Sequence, residues 1–228
     1  MHNELPPFPG FRPAAFKFLR DLAANNEREW FKPRKSTFDD EIVWPMHCLL
    51  AEASREATVR SLNLSADPKK AMFRIYRDTR FSKNKAPYKT TAGAVLSQDG
   101  TRKSFGGVYI HLQPENCFLA AGFWHPDNNQ LRLWRTYMAG HQDAFLSMVE
   151  RLAQSNLELQ SDESLKRIPR GFENHAGTAL EPYLKWKSYT TSRPVKDEDM
   201  QKPEFIKSVV QFMEETYPLL EYGWGTEG

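Results

Sequence analysis

Residues 105–123 read Phe-Gly-Gly-Val-Tyr-Ile-His-Leu-Gln-Pro-Glu-Asn-Cys-Phe-Leu-Ala-Ala-Gly-Phe. Within them Val108, Ile110 and Leu112 alternate with Tyr109 and His111. That period of two turns one face of a strand to a core and leaves the other more polar. Pro114-Glu115-Asn116 breaks the run as a turn, and Cys117–Phe123 resumes it. One step upstream, Ala92–Ser97 is a third strand-like run, tied to Phe105–Gln113 through the turn signal Asp99-Gly100. Strands joined by such turns pair antiparallel, so the centre of the chain predicts a meander. Gly93, Gly106, Gly107 and Gly122 mark bulges or places where a backbone or ligand comes close.

Directly before the meander stands the most charged part of the chain. Arg74, Arg77, Arg80, Lys83, Lys85 and Lys89 lie there with one acid, Asp78. Residues 69–103 hold ten Lys or Arg against two acids, a local charge of +8 in a chain of net +2, so the remainder carries −6. Like charges crowded together cost free energy to fold unless something negative is near. The segment therefore reads as an anion-binding surface.

If residues 72–81 are extended, Arg74, Tyr76, Asp78 and Arg80 share one face, and Phe73, Ile75, Thr79 and Phe81 the other. Arg77 then falls on the apolar side, which marks either a strand end or a buried arginine held by a carboxylate. A helix competes, because Arg74, Arg77, Asp78, Phe81, Lys85 and Tyr88 also fit a three-four repeat. Pro87 and the lack of an apolar stripe oppose it. The expectation is a strand ending near Arg77, then a basic loop.

Toward the N-terminus, Pro13 with Phe11, Ala15, Phe18 and Leu22 marks an amphipathic helix. Asn25-Asn26 ends it and leads into a short turn carrying Trp30 and Phe31. Phe38, Ile42, Met46, Leu49, Ala53 and Ala57 then trace one face of a long helix, with a kink or break expected at Pro45. The acids Glu27, Glu29, Asp39, Asp40, Glu41, Glu52 and Glu56 coat its outer faces or pair with the basic segment. Beyond the meander, Asp127 with Gln130 forms a capping box opening a helix of Leu131, Trp134 and Met138 that Gly140 stops. Ala144, Phe145, Met148, Val149 and Leu152 form another. Thr178 with Glu181 suggests a cap, Trp186–Thr191 an edge strand, and Pro203 a final helix through Val209 and Phe212. Helices, then a meander, then helices define an α+β fold. We read residues 1–228 as a single domain; the one internal boundary that composition offers is the polar stretch 153–162.

Apolar residues make up 40% of the 228, enough for a packed core. No apolar run approaches the ~18–20 residues of a membrane helix. Met-His-Asn-Glu-Leu-Pro-Pro lacks the basic start and apolar stretch of a signal peptide, so cytoplasm is the expected compartment.

The signature Arg-x-x-Arg-Asp-x-Arg-Phe from Arg74 to Phe81, followed by Asn84-Lys85 and Pro87-Tyr88-Lys89, resembles the bacterial and fungal domain-of-unknown-function family 2461. Asn25-Asn26 with Glu29-Trp30-Phe31, Gly122 with Pro126, Leu131 with Arg135, and Pro169-Arg170-Gly171 extend the resemblance over roughly residues 8–220. It implies no activity, because the family has no established one.

The chemistry of the basic segment has two readings. Arginine's planar fork binds phosphate and carboxylate bidentately, so Arg74, Arg77, Arg80, Lys85 and Lys89 suit an anionic ligand. The same residues could instead form a salt-bridge network to the acidic helices. Asp78 is a candidate catalytic base, a metal ligand, or a clamp that orients arginine; arginine partners would depress its pKa and favour the clamp. Tyr88 either donates a hydrogen bond to the anion, with basic neighbours favouring its ionised form, or anchors packing. His47, His111, His125, His141 and His175 show no metal-binding spacing, and His125 reads as a surface turn residue. Cys48 beside His47 and the distant Cys117 read as buried thiols rather than nucleophile, disulfide or zinc ligand. Trp30, Trp124, Trp134 and Trp186 read as core. No Walker loop, Gly-x-Gly-x-x-Gly or Gly-x-Ser-x-Gly is present, which removes the common nucleotide and serine-hydrolase motifs.

The preferred reading is a pocket for a phosphate- or carboxylate-bearing small molecule, with no metal and no cofactor, and with enzymatic activity undecided. One alternative is nucleic-acid binding, since Phe73, Tyr76, Phe81 and Tyr88 interleave with the cations. The other is a structural or partner-binding protein built on an internal arginine–carboxylate network.

Overall fold

The computed structural model describes residues 5–227; Met1 to Glu4, which enter the signal-peptide reading, and Gly228 lie outside the described residues. Helix α1 spans Pro13–Ala24 and buries Ala15, Phe16, Phe18, Leu19 and Leu22, with proline in its first turn. After Asn25 and Asn26 come α2, Arg28–Phe31, a 3₁₀ turn over Lys32–Arg34, and α3, Lys35–Phe38. The expected long helix is interrupted where Pro45 demands it. A π turn over Asp39–Val43 widens the coil before α4, Trp44–Val59, so Pro45 sits in the first turn of α4. There its missing N–H costs least.

A short helix α5, Pro68–Ala71, leads into the basic segment. That segment is not a strand. Residues 72–94 form an excursion closed at its base by the Met72↔Ala94 bridge and at mid-length by Tyr76↔Tyr88. Between them Phe73 N–H donates to Gly93 O (2.9 Å), Lys89 N–H to Ile75 O (2.7 Å) and Arg77 N–H to Pro87 O (2.9 Å). Pro87 has no N–H to return, so the ladder stops there. We call residues 73–91 the arm. Its alternation holds as far as Arg80: Arg74, Tyr76, Asp78 and Arg80 are exposed, Ile75 is buried, and Phe73, Arg77 and Thr79 are half-buried. Phe81 departs from it, 95% exposed at the arm's tip.

The meander follows as β1, Ala92–Leu96, β2, Gly107–Leu112, and β3, Cys117–Phe123. β1 and β2 pair antiparallel from Ala92↔Leu112 to Leu96↔Val108. Val108, Ile110 and Leu112 are fully buried while Tyr109 and His111 are half-exposed. Helices α6, Asn128–Gly140, and α7, Gln142–Gln154, come next, α6 opened by the Asp127–Gln130 capping box. Then come α8, Glu181–Leu184, β4, Tyr189–Val195, α9, Asp197–Met200, and α10, Phe205–Trp224. The four strands form one antiparallel sheet in the order β1-β2-β3-β4, an α+β fold. β4 starts later than expected and runs through Pro194, which only an edge strand tolerates.

The chain divides into two compact units. The first takes in the chain up to Ser104 with Val108–Leu119 and Pro194–Phe212; the second holds Phe105–Gly107, Ala120–Arg193 and Met213 onward. The stretch 153–162 lies inside the second unit, so the division does not fall there. In the first unit, Phe18 packs on Trp30 (5.5 Å), Phe31 (6.2 Å) and Phe38 (5.8 Å), fixing α1 to the turns that follow it. In the second, Trp134 stacks on Tyr189 (4.5 Å) and tilts against Phe123 (4.7 Å). Gly122, at φ +124°, lets β3 pass Tyr189 so closely that a Cβ would lie 2.1 Å from its carbonyl oxygen.

Trp124 corrects the core expectation. It is 73% exposed, edge-on to His125 (4.4 Å), with its indole N–H donating to Asp162 (3.3 Å). Only Trp134 of the four tryptophans named is fully buried. Among the described residues no helix is long and apolar enough to cross a membrane.

Candidate anion-binding site

Two clefts open beside the arm, both within the first unit. One of about 320 Å³ is lined by Arg28, Phe31 and Lys32 from α2 and the turn after it, Lys35 of α3, and Tyr76, Arg77, Thr79, Pro87 and Tyr88 of the arm. The other, about 400 Å³, is lined by Ala23, Asn26, Arg77, Asn84, Ala86, Tyr88, Lys89, Thr90 and Thr91. Arg77 and Tyr88 stand in both walls.

One side chain ties the arm to the α1–α2 turn by hydrogen bonds. Asn26 accepts a hydrogen bond from Tyr88 N–H (3.0 Å) and donates its amide to Tyr88 O (3.0 Å), acting as one residue of a partner strand. Below it Tyr88 is 3% exposed and its ring stacks on Phe31 at 4.2 Å. Such a pair contributes roughly 0.5–1.5 kcal/mol beyond area burial. This fixes Tyr88 as a packing anchor whose ring forms cleft floor. Burial, more than any neighbouring charge, pushes its phenol up, which corrects the expectation that basic neighbours favour the ionised form; Arg28 pulls the other way and is outweighed.

Arg77 is half-buried, and no carboxylate meets it. Its guanidinium donates to Ala86 O (3.3 Å) and Ser82 Oγ (3.5 Å), both long contacts with neutral acceptors. Arg28 and Lys32 make no ion pair among the described residues, whereas Lys35 is paired with Asp39 one helical turn on. Lys89 is half-buried, with its ammonium 5.4 Å from the Phe73 ring centroid. Burial, then the charge of Arg102, lowers its pKa. No Asp, Glu, His or Cys lines either cleft.

Of the expected site residues, Arg77, Lys89 and Tyr88 are thus brought together. Arg74 is exposed and lines neither cleft. Lys85 is exposed and donates to Thr79 O (3.0 Å). Asp78 lies outside both clefts, its carboxylate gripped by Arg80 Nε (3.0 Å) and Nη2 (2.7 Å) and by Arg80 N–H (3.2 Å). That grip holds its carboxyl below the usual range. Arg80 weakens it as a base and is clamped by it in the open, Arg80 and Asp78 being 77% and 60% exposed.

Among the described residues no ion pair joins Arg74 or Arg77 to a carboxylate of the N-terminal helices. Of the N-terminal acids, Glu41 pairs with Arg12, Asp39 with the cleft residue Lys35, and Glu56 with Arg60. Arg28, Lys32 and Lys35 were not anticipated as site residues. Their spacing of four and three was the available signal, since it aligns them on one side of a helical turn.

Cys48 and Cys117 are free and buried, and burial raises both thiols, Cys117 to about 12, which keeps them protonated. Among the described residues no group of three His, Cys, Asp or Glu is placed to hold a metal ion.

The fold and cleft describe a small α+β protein with a cation-lined recess and no acid in its walls. Residues 14–222 match the family model described as conserved hypothetical protein (DUF2461), and the chain belongs to that family. No curated protein and no solved structure matches it significantly.

Proposed function

We propose that this protein binds a phosphate- or carboxylate-bearing small molecule in the cleft between the arm and the α2–α3 turns, with Arg77 as the central contact. The observation that carries the reading is Arg77 itself: half-buried, common to both cleft walls, and held only by long bonds to a carbonyl and a hydroxyl. A half-buried guanidinium that faces a cleft without a carboxylate has donors to offer an anion. Arg28 and Lys32 add positive potential, and Lys89 supplies it on the other side of Arg77. In a recess of this kind an anion is held more strongly than on an open surface. If a reaction occurs there, the cations stabilise developing negative charge.

A thermal-shift screen against phosphorylated and carboxylated metabolites tests the reading. A ligand at a hundred times its Kd adds about 2.7 kcal/mol, a shift of several degrees for a chain of this size. Arg77→Gln should abolish the shift.

A second reading has one observation in its favour. Tyr76 (55% exposed) and Phe81 (95% exposed) stand beside Arg74 and Arg80, as stacking with backbone contacts would require of a single-stranded nucleic-acid binder. Its signature is an affinity for oligonucleotides that falls steeply with salt and survives Arg77→Gln.

A further inference from the structure

Resting on that reading of the cleft, we infer that the ligand is a phosphate carried on a flat ring, of the size and shape of a nucleoside monophosphate. Two features of the 320 Å³ cleft lead there. The first is its charge. Arg28, Lys32 and Arg77 have no carboxylate partner among the described residues, and no acid lines the wall. Three unpaired cations exceed what one carboxylate neutralises and match a phosphate monoester, which carries close to two negative charges at neutral pH and three acceptor oxygens.

The second is the apolar part of the same wall. Phe31 and Tyr88 are stacked and buried, Pro87 lies beside them, and Tyr76 stands over the edge with more than half of its surface in water. Tyr76 meets Phe31 edge-on (6.4 Å) and Tyr88 at a tilt (5.4 Å), so its ring is held from one side and open on the other. An aromatic ring fixed in this way is a stacking platform for a planar group. The volume, about 320 Å³, lies at the small end of ligand cavities, which suits one ring and one phosphate.

The test is calorimetric titration at constant ionic strength with inorganic phosphate, ribose 5-phosphate and adenosine 5′-monophosphate, on wild type, Tyr76→Ala, Tyr76→Phe and Arg77→Gln. The expected result is that wild type binds the nucleotide at least about tenfold tighter than ribose 5-phosphate. That ratio collapses toward one in Tyr76→Ala, is kept in Tyr76→Phe, and all three ligands are lost in Arg77→Gln. Equal affinity for nucleotide and ribose 5-phosphate overturns the ring while leaving the anion cleft intact. Binding of none of the three overturns the anion cleft and the inference with it. An oligonucleotide that binds far tighter than the mononucleotide overturns the inference in favour of a polymer. Circular dichroism and melting of each variant establish that lost binding is not lost folding, and Tyr76→Phe keeps the test decisive if Tyr76→Ala does not fold.

Discussion

Two stretches of the molecule use the same residue types in opposite ways. Along the segment of the second unit that ends in β4, every basic side chain between Lys185 and Arg193 meets a carboxylate. Lys185 reaches Glu181 (2.6 Å), Lys187 reaches Glu163 (2.7 Å) and Arg193 reaches Glu215 (2.7 Å). Around the arm of the first unit, Arg28, Lys32, Arg77 and Lys89 meet none among the described residues, although the chain has 29 acids to offer. Between Lys185 and Arg193 the protein supplies its own counter-ions. Around the arm no carboxylate offsets the repulsion among the cations, and folding bears that cost.

The largest way to break this contrast is to remove the floor under the unpaired cations. Phe31→Ala is expected to cost about 3–5 kcal/mol, because Phe31 is 2% exposed and carries the stack on Tyr88, and to lose the anion response as well. Urea unfolding with and without phosphate reads both effects. Next comes the tether. Asn26→Ala leaves the N–H and C=O of Tyr88 without their side-chain partner and should cost about 1–3 kcal/mol, with faster amide exchange concentrated over residues 73–91.

The contrast is sharpened by replacing one arginine from each region. Arg193→Ala removes an ion-pair partner of a mostly buried Glu215 and is expected to cost about 1–3 kcal/mol. Arg77→Gln gives up only two long bonds to neutral acceptors and should cost at most about 1 kcal/mol. A larger loss from Arg77→Gln would mean that its charge serves the fold after all.

The smallest effect needs no ligand. Burial lowers the pKa of both His47 and His111 below the ordinary 6.5. The unfolded chain then binds more protons than the folded one as pH falls through 6.5, so stability rises with pH across that window and is lost toward pH 5. A shallower melting-temperature decline in His111→Gln than in wild type, measured between pH 7 and 5, is the expected outcome.

Much of the fold was legible because its periods are local. The alternation of Val108, Ile110 and Leu112, the Asp127–Gln130 box and the α1 stripe each appear in the structure where the residues place them. Pro45 signalled a break, but the π turn that makes it depends on how the flanking turns pack. The arm misled for a related reason: its residues alternate as a strand does, yet Pro87 and the tip leave it only isolated bridges. The site was half legible. The charge density near Arg77 was plain, but adjacency in sequence does not say which cations share a cleft. Arg74 and Arg80 alternate outward, while Arg28, Lys32 and Lys35 arrive from some 50 residues upstream through the grip of Asn26 on Tyr88.

The central claim is that Arg77 is kept without a carboxylate in order to hold an anion. Its most direct test is the melting temperature of wild type and Arg77→Gln as inorganic phosphate replaces chloride at constant ionic strength. The expected result is a rise in wild type that is absent from Arg77→Gln, with the two proteins within a few degrees of each other in chloride. No rise in wild type, or an equal rise in both, would contradict it.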